Sequence, residues 1–155
     1  MATVPMSAVM LASQRLGAMG EQPPERVVEE AASAAGADCG ETQEHAVASV
    51  AHLAFGAAAG AMLAELQAHF RFTHGVGPGV VHGLAVYTAS YAGWIPALGI
   101  LPFPTRDSNG RVFTMLGAHV AYGAVLGHLL DEPQTVPRRL APPVNGKPRR
   151  ADTLR

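Results

Sequence analysis

The sequence predicts an all-α protein, a polytopic membrane helix bundle of four spans in which the first span is short. Charged residues make up 15% of the chain, against roughly 25% in ordinary soluble proteins. Three runs contain no Asp, Glu, Lys or Arg, namely residues 45–64, 72–105 and 112–130. Because about 20 helical residues cross a hydrocarbon core of about 30 Å, each run is long enough to form a membrane span.

A soluble, alanine-rich helix bundle is the alternative fold for this composition. Helices of a soluble bundle show a polar outer face that recurs at every turn. Residues 46–63 and 112–130 carry no polar side chains beyond His, Ser, Thr and one Tyr, so they have no such face. The pattern therefore favours lipid as the solvent of these segments, and the bilayer as the first partner of the chain.

The first predicted span covers about residues 1–19. Residues 1–14 are uncharged, but a helix of that length reaches only about 21 Å and does not cross the hydrocarbon core. Either the helix continues to about Met19, with the Arg15 side chain reaching back to the interface, or the natural start lies upstream of Met1. A short amphipathic surface helix is predicted next, over about residues 24–36.

The other three spans are predicted at about residues 45–66, 79–98 and 112–130, and Pro96 is expected to kink or end the third. Arg106, Asp107 and Arg111 lie between the last two spans, where a solvated turn is expected rather than a ligand site. The bundle is thus assigned to residues 1–131. Residues 132–155 form a basic, proline-rich tail that we predict to be disordered.

Residues 20–45 are acidic and the tail at residues 132–155 is basic, and this asymmetry predicts an orientation in the membrane. Cationic segments beside spans favour the cytoplasm, and four spans return the N-terminus to the side of the C-terminus. Both termini are therefore expected in the cytoplasm and the acidic segment outside. The acids of residues 20–45 are Glu21, Glu25, Glu29, Glu30, Asp38, Glu41 and Glu44, and the bases of the tail are Arg138, Arg139, Lys147, Arg149, Arg150 and Arg155.

Two spans share a sequence pattern that predicts an internal repeat. Ala51–Leu63 (AHLAFGAAAGAML) and Ala118–Leu130 (AHVAYGAVLGHLL) are identical at seven of thirteen positions. A duplication of one helix pair would produce this pattern, and the four spans would then form two helix pairs related by an axis along the membrane normal. Chance similarity between Ala- and Gly-rich spans is the alternative.

Glycine pairs spaced four residues apart occur at equivalent places in both copies of the repeat. In lipid, helices associate through close backbone approach over small residues. We therefore predict that these glycines pack helices inside the bundle, and assembly into a homo-oligomer is the alternative use of the same surface. The glycines are Gly56 and Gly60 on the second span, Gly79 and Gly83 on the third, and Gly123 and Gly127 on the fourth.

His52 and His119 occupy the same position of the repeat, on the glycine face, so they are expected at similar depth inside the bundle. Ionisable residues within a membrane are costly and suggest a function. Three interpretations stay open. In the first, the imidazoles are neutral and bond a carbonyl or hydroxyl across helices. In the second, they form a proton-sensitive or proton-carrying pair, because the pKa of imidazole is near neutral. In the third, they bind a haem or metal between helices.

No sequence pattern indicates an active site. The chain has no phosphate loop, CxxC or HExxH motif, and Cys39 is its single cysteine, so no catalytic residue, metal or cofactor is predicted and haem is the one alternative. Anionic lipid attracts a basic tail by about 1 kcal/mol per Lys or Arg, so no nucleic-acid partner is needed. A non-enzymatic bundle with a structural, stress-related or proton-linked role is expected, and a small transporter or channel using His52 and His119 is the alternative.

Four short strings resemble the YagU-like family of small bacterial inner-membrane proteins. The resemblance covers roughly residues 1–130 and implies a location in the bacterial plasma membrane, with no catalytic residues to transfer. The short first span departs from what a full-length member would have. The strings are Gly20–Arg26 (GEQPPER), Ser90–Gly99 (SYAGWIPALG), Arg106-Asp107 and Ala118–Gly123 (AHVAYG).

Overall fold

The computed structural model describes residues 2–37, 40–70 and 74–131, and every regular element within them is helical. The all-α prediction is therefore confirmed for this part of the chain, and the predicted disordered tail lies outside it. The elements are α1 Thr3–Arg15, α2 Pro23–Ala34, α3 Glu41–Phe70, α4 Val76–Ala89, a π-helical turn at Ser90–Trp94, α5 Ile95–Ala97 and α6 Asn109–Asp131.

The first helix is shorter than the predicted span. Gly17 adopts a left-handed φ of 71°, and the amides of Gly17 and Ala18 donate to the carbonyls of Gln14 and Ser13, at 3.0 Å each. This is the hydrogen-bond pattern that closes a helix at a C-terminal glycine. The expected continuation to Met19 is therefore wrong, and Met19, 3% exposed, packs into the core beyond the turn.

Helix α2 begins and ends at the signals that its sequence carries. The amide of Gln22 donates to Glu25 Oε2 at 3.1 Å, which is half of a capping box, and Gly36 follows the helix with a left-handed φ of 66°. Pro23 is buried and Val27 packs against the core. The amphipathic helix predicted at 24–36 thus lies at Pro23–Ala34 with one face on the bundle.

Pro96 does not end the third predicted span. The chain is helical from Val76 to Ala97, and the π turn directly before Pro96 rearranges the hydrogen bonds that a proline cannot make. The helix ends at Ala97 and is followed by Gly99, which has a left-handed φ of 77°, and the amide of Ile100 donates to the carbonyl of Ile95 at 3.2 Å.

Close contacts between helices give their relative directions. A methyl group built on Gly79 of α4 would lie 2.6 Å from Gly127 Cα, and one built on Gly83 would lie 3.1 Å from Gly123 Cα, so α4 and α6 are antiparallel. This pair has the most extensive contact of any two helices. Gly60 of α3 lies against Leu126, and Gly56 is bonded to Tyr122, so α3 and α6 run in the same direction.

Helix α1 runs opposite to α6 and covers only its first half. The Thr3 side chain, at the start of α1, lies against Gly56 in the middle of α3, while Ala18 lies against Gly110 beside the start of α6. We call the end of the bundle that contains Gly20 and Arg111 the upper end. Helices α1 and α4 run toward it, and α3 and α6 run away from it.

Two helices of the described segments are long and apolar enough to cross a membrane. They extend from Thr42 to His69 and from Asn109 to Asp131. In the most apolar 18-residue stretch of the first, 22% of the residues are buried. Most of this helix therefore presents apolar side chains outward, unlike the core helix of a soluble domain, which buries its apolar face.

Candidate functional site

A cavity of about 250 Å³ lies in the upper half of the bundle. Its walls come from every long helix, and α2 covers its upper end with Pro23, Pro24, Val27 and Val28. Most of the lining is apolar, and both His52 and His119 belong to it. The structure therefore brings together the two histidines that the repeat pattern placed at similar depth.

His119 is 2% exposed, and its ring is held in a defined orientation. Its Nδ1 lies 2.7 Å from the carbonyl oxygen of Met115, one turn earlier on α6. Because a carbonyl oxygen only accepts hydrogen bonds, Nδ1 of the neutral ring carries the hydrogen and Nε2 keeps its lone pair. The Tyr87 ring contacts the imidazole edge-on, with centroids 5.5 Å apart.

His52 reaches the same cavity from α3 and is less constrained. Its Nε2 is buried and has no hydrogen-bond partner among the described residues. A buried nitrogen without a partner costs about 1–3 kcal/mol. The first interpretation of the histidine pair, hydrogen bonding across helices, therefore does not apply. His119 bonds its own helix and His52 bonds no described residue.

Bonding across helices occurs instead at His82, for which the sequence predicts only an interfacial or packing role. His82 Nε2 donates to the carbonyl oxygen of Ala59 at 2.9 Å and joins α4 to α3. One turn higher, the Tyr122 hydroxyl donates to the carbonyl oxygen of Gly56 at 2.7 Å and joins α6 to α3. These two bonds, together with the glycine contacts of α4 and α6, join the helices below the cavity.

The cavity opens to the side of the bundle between two aromatic rings. Phe55 of α3 and Trp94 of the π turn both line it, although they are 46% and 39% exposed. Their helices have little contact with each other. Hence the opening lies between α3 and the upper part of the third helical segment.

The loop above the cavity contains a buried ion pair, which corrects the expectation of a solvated turn. The Asp107 side chain is 4% exposed and accepts hydrogen bonds from Arg111 Nη1, at 3.1 and 3.3 Å. It also accepts one from the Tyr91 hydroxyl at 2.7 Å. Because Tyr91 lines the cavity, this network fixes part of the upper wall; Arg106 is exposed, as expected.

The predicted packing glycines lie at helix contacts, in two different ways. Gly79 and Gly83 meet the backbone of Gly123 and Gly127, so α4 and α6 approach closely with no side chains between them. Gly56 instead meets the Thr3 side chain, and Gly60 meets the side chains of Leu126 and Tyr122. Gly56 and Gly60 therefore make room for side chains rather than for the backbone of a neighbouring helix.

The cavity does not fit the haem alternative. An engineered cavity of about 150 Å³ in another protein holds one benzene molecule, so about 250 Å³ is too small for a macrocycle of four pyrrole rings. Within residues 2–37, 40–70 and 74–131, no group of three or more His, Cys, Asp or Glu side chains could hold a metal ion. The two imidazoles are better suited to hydrogen bonding.

Comparisons of the chain with protein-family models, with curated proteins and with solved structures gave no match. The resemblance to the YagU-like family stays a prediction.

Proposed function

We propose that this chain is a non-enzymatic integral membrane protein of the bacterial plasma membrane whose helix bundle binds a small apolar ligand taken from the lipid phase. The observation that carries the proposal is the apolar cavity between the helices, which opens sideways past Phe55 and Trp94. A ligand dissolved in the bilayer would enter between α3 and the third helical segment without crossing water. Binding sites between the helices of a bundle commonly have this apolar lining with a few polar groups.

In this proposal the bundle has four spans. They are the short α1, then α3, then the helical segment from Val76 to Ala97, then α6, with α2 lying across the upper end. Exposed apolar side chains support contact of α3 with lipid, since Val50 is 67% and Met62 52% exposed. The acidic segment and the upper end would then face outward, and both termini would lie in the cytoplasm.

We further propose that the two helix pairs arose by duplication. The packing supports this because the first glycine of each copy faces the first helix of its own pair. Gly56 meets Thr3 of α1, and Gly123 meets Gly79 and Val80 of α4. The second copy has the closer backbone contact, which accounts for the more extensive contact of α4 with α6 than of α1 with α3.

A small transporter or channel that uses His52 and His119 is the second candidate function. Their position on one cavity favours it. The bonds from Tyr122 to Gly56 and from His82 to Ala59 join the helices below the cavity, however, and a conducting path would have to break them. The geometry therefore supports binding better than passage.

The single native cysteine, together with one engineered cysteine in the tail, allows the membrane topology to be tested. In intact cells, a membrane-impermeant maleimide is expected to label Cys39 from the outside, because the acidic segment is proposed to lie there. In a Cys39→Ser chain with Ala151→Cys in the basic tail, labelling is expected only after permeabilisation. The reverse pattern would contradict the orientation, and recovery of the chain in the aqueous fraction without detergent would contradict membrane insertion.

Ligand binding is tested by filling the cavity with a side chain. Ala51 of α3 lines it, so Ala51→Trp is expected to weaken binding of 2-methoxynaphthalene at least about tenfold, since the new ring takes the ligand's place. Equilibrium dialysis of protein-containing against empty nanodiscs measures the binding and subtracts partition into lipid. Ala57→Trp, on an exposed part of the same helix outside the cavity, is the matched control. Equal affinities in the two variants, or no binding by the unchanged protein, would disprove a ligand site here.

A further inference from the structure

We infer that the cavity selects a two-ring aromatic alcohol or hydroquinone, which donates a hydroxyl hydrogen to Nε2 of His119. The inference rests on the proposed ligand-binding function and adds the chemical class of the ligand. It is carried by the size of the cavity, by the character of its walls and by the hydrogen-bonding state of the two imidazoles.

The size of the cavity is suited to two rings. A cavity of about 150 Å³ takes one benzene ring, and the cavity here measures about 250 Å³. One ring would leave part of this space empty, and an unfilled gap loses the dispersion contacts of the atoms around it. Two fused rings fill the volume, whereas a large macrocycle exceeds it.

The walls favour a flat aromatic ligand over a branched aliphatic one. Phe55, Tyr91, Trp94 and Tyr122 contribute aromatic rings to the lining, and Met10 and Met115 contribute thioethers. Ring edges and faces attract one another, and a thioether sulfur makes favourable contacts with an aromatic ring. Met10 and Met115 are also fully or almost fully buried, so their side chains are held beside the cavity.

The polar part of the ligand is defined by His119. Its Nδ1 hydrogen is already used on the Met115 carbonyl, so in the neutral ring the remaining nitrogen can only accept a hydrogen bond. Ketones, ethers and quinones have no hydrogen to donate and cannot satisfy it. A hydroxyl group can, and a hydrogen bond is electrostatically stronger in apolar surroundings than in water.

His52 extends the preference to ligands with hydroxyl groups in particular. Its buried Nε2 has no partner among the described residues, and a neutral imidazole nitrogen either donates or accepts according to its tautomer. A hydroxyl group both donates and accepts, so it satisfies His52 in either state. A hydroquinone, with a hydroxyl at each end, has one group for each imidazole.

The test compares two probes that share a ring system and differ in one hydrogen-bond donor. We expect 2-naphthol to bind the unchanged protein in nanodiscs about tenfold more tightly than 2-methoxynaphthalene, after subtraction of empty discs. His119→Phe keeps an aromatic ring but removes the nitrogen, so the preference should fall to about onefold, with the affinity for the methoxy probe retained. His128→Phe, an exposed position on the same helix, should keep the tenfold preference.

The outcomes separate this inference from the function on which it rests. Equal binding of both probes to the unchanged protein overturns the hydroxyl preference and leaves the ligand site standing. Binding of neither probe above empty discs overturns both. A preference that persists in a folded His119→Phe protein assigns it to another group and overturns the role of His119.

A second measurement covers the case in which His119→Phe does not fold. In the unchanged protein labelled with ¹⁵N-histidine, we expect the Nε2 resonance of His119 to move upfield on addition of 2-naphthol, because a hydrogen-bonded lone pair is more shielded. The methoxy probe should leave it in place. The chain has seven histidines, so single substitutions of the other six assign the remaining Nε2 signal to His119. An Nε2 resonance that 2-naphthol leaves unmoved would overturn the inference.

Discussion

Replacing Gly79 with alanine is expected to lower the free energy of unfolding by about 3 kcal/mol, the largest loss from adding a single methyl group to α4. The new Cβ would lie 2.6 Å from the Cα and 2.7 Å from the amide nitrogen of Gly127. These are backbone atoms of the neighbouring helix, so they cannot move aside by a side-chain rotation. The helices would have to separate along their most extensive contact, and overpacking of this kind costs about 1–3 kcal/mol or more.

Gly77→Ala is the matched control on the same helix. A Cβ at Gly77 meets no atom within 4 Å, and alanine is favoured over glycine within a helix by up to about 1 kcal/mol. Its stability should therefore be unchanged or slightly higher. Unfolding by SDS in mixed micelles, followed by circular dichroism, measures both variants, and a similar loss in the two would show that the close approach of α4 and α6 does not determine stability.

Asp107→Asn is expected to cost about 3 kcal/mol, because it removes the charge that balances Arg111 in a buried network. The Arg111 side chain is 17% exposed and the Asp107 side chain 4%, and breaking a buried pair leaves an uncompensated charge, which costs about 3–5 kcal/mol. The Asn side chain keeps the volume and can still accept from the Tyr91 hydroxyl. The loss of stability therefore measures the effect of removing the charge rather than an effect of changed packing.

An exposed ion pair on α2 provides the comparison. Arg26 bonds Glu29, and the two side chains are 31% and 46% exposed. Surface pairs are worth about 0–1 kcal/mol, so Glu29→Gln should change stability by less than about 1 kcal/mol in the same assay. If Asp107→Asn were equally mild, the loop above the cavity would not be held by its ion pair.

The helices and their approximate bounds followed from the sequence because both depend on local features. Uncharged runs, the glycine that ends α2 and the proline at its start act within a few residues, whereas the expected end of α1 at about Met19 was wrong. For Pro96 the sequence left two outcomes, a kink in the helix or its end. Whether a proline kinks or ends a helix depends on how the preceding turn rearranges, and here a π turn accommodates it.

The candidate site was only partly predictable. The repeat pattern placed His52 and His119 at equal depth, and both line the cavity. The pattern predicted only an interfacial or packing role for His82, because the Ala59 carbonyl that it bonds lies on another helix. Nor could spacing show that Asp107 is buried, because its burial depends on Tyr91 and Arg111 approaching it from two sides.

The sequence by itself determined that the chain is helical, that its long helices are apolar around most of their circumference, and where glycines permit close approach. These properties are set by composition and by residues within one helix. Only the tertiary structure decided that the upper half contains a cavity and that hydrogen bonds from His82 and Tyr122 join the helices below it. It also decided which imidazole nitrogen is left without a hydrogen, since each of these depends on atoms brought together from distant parts of the chain.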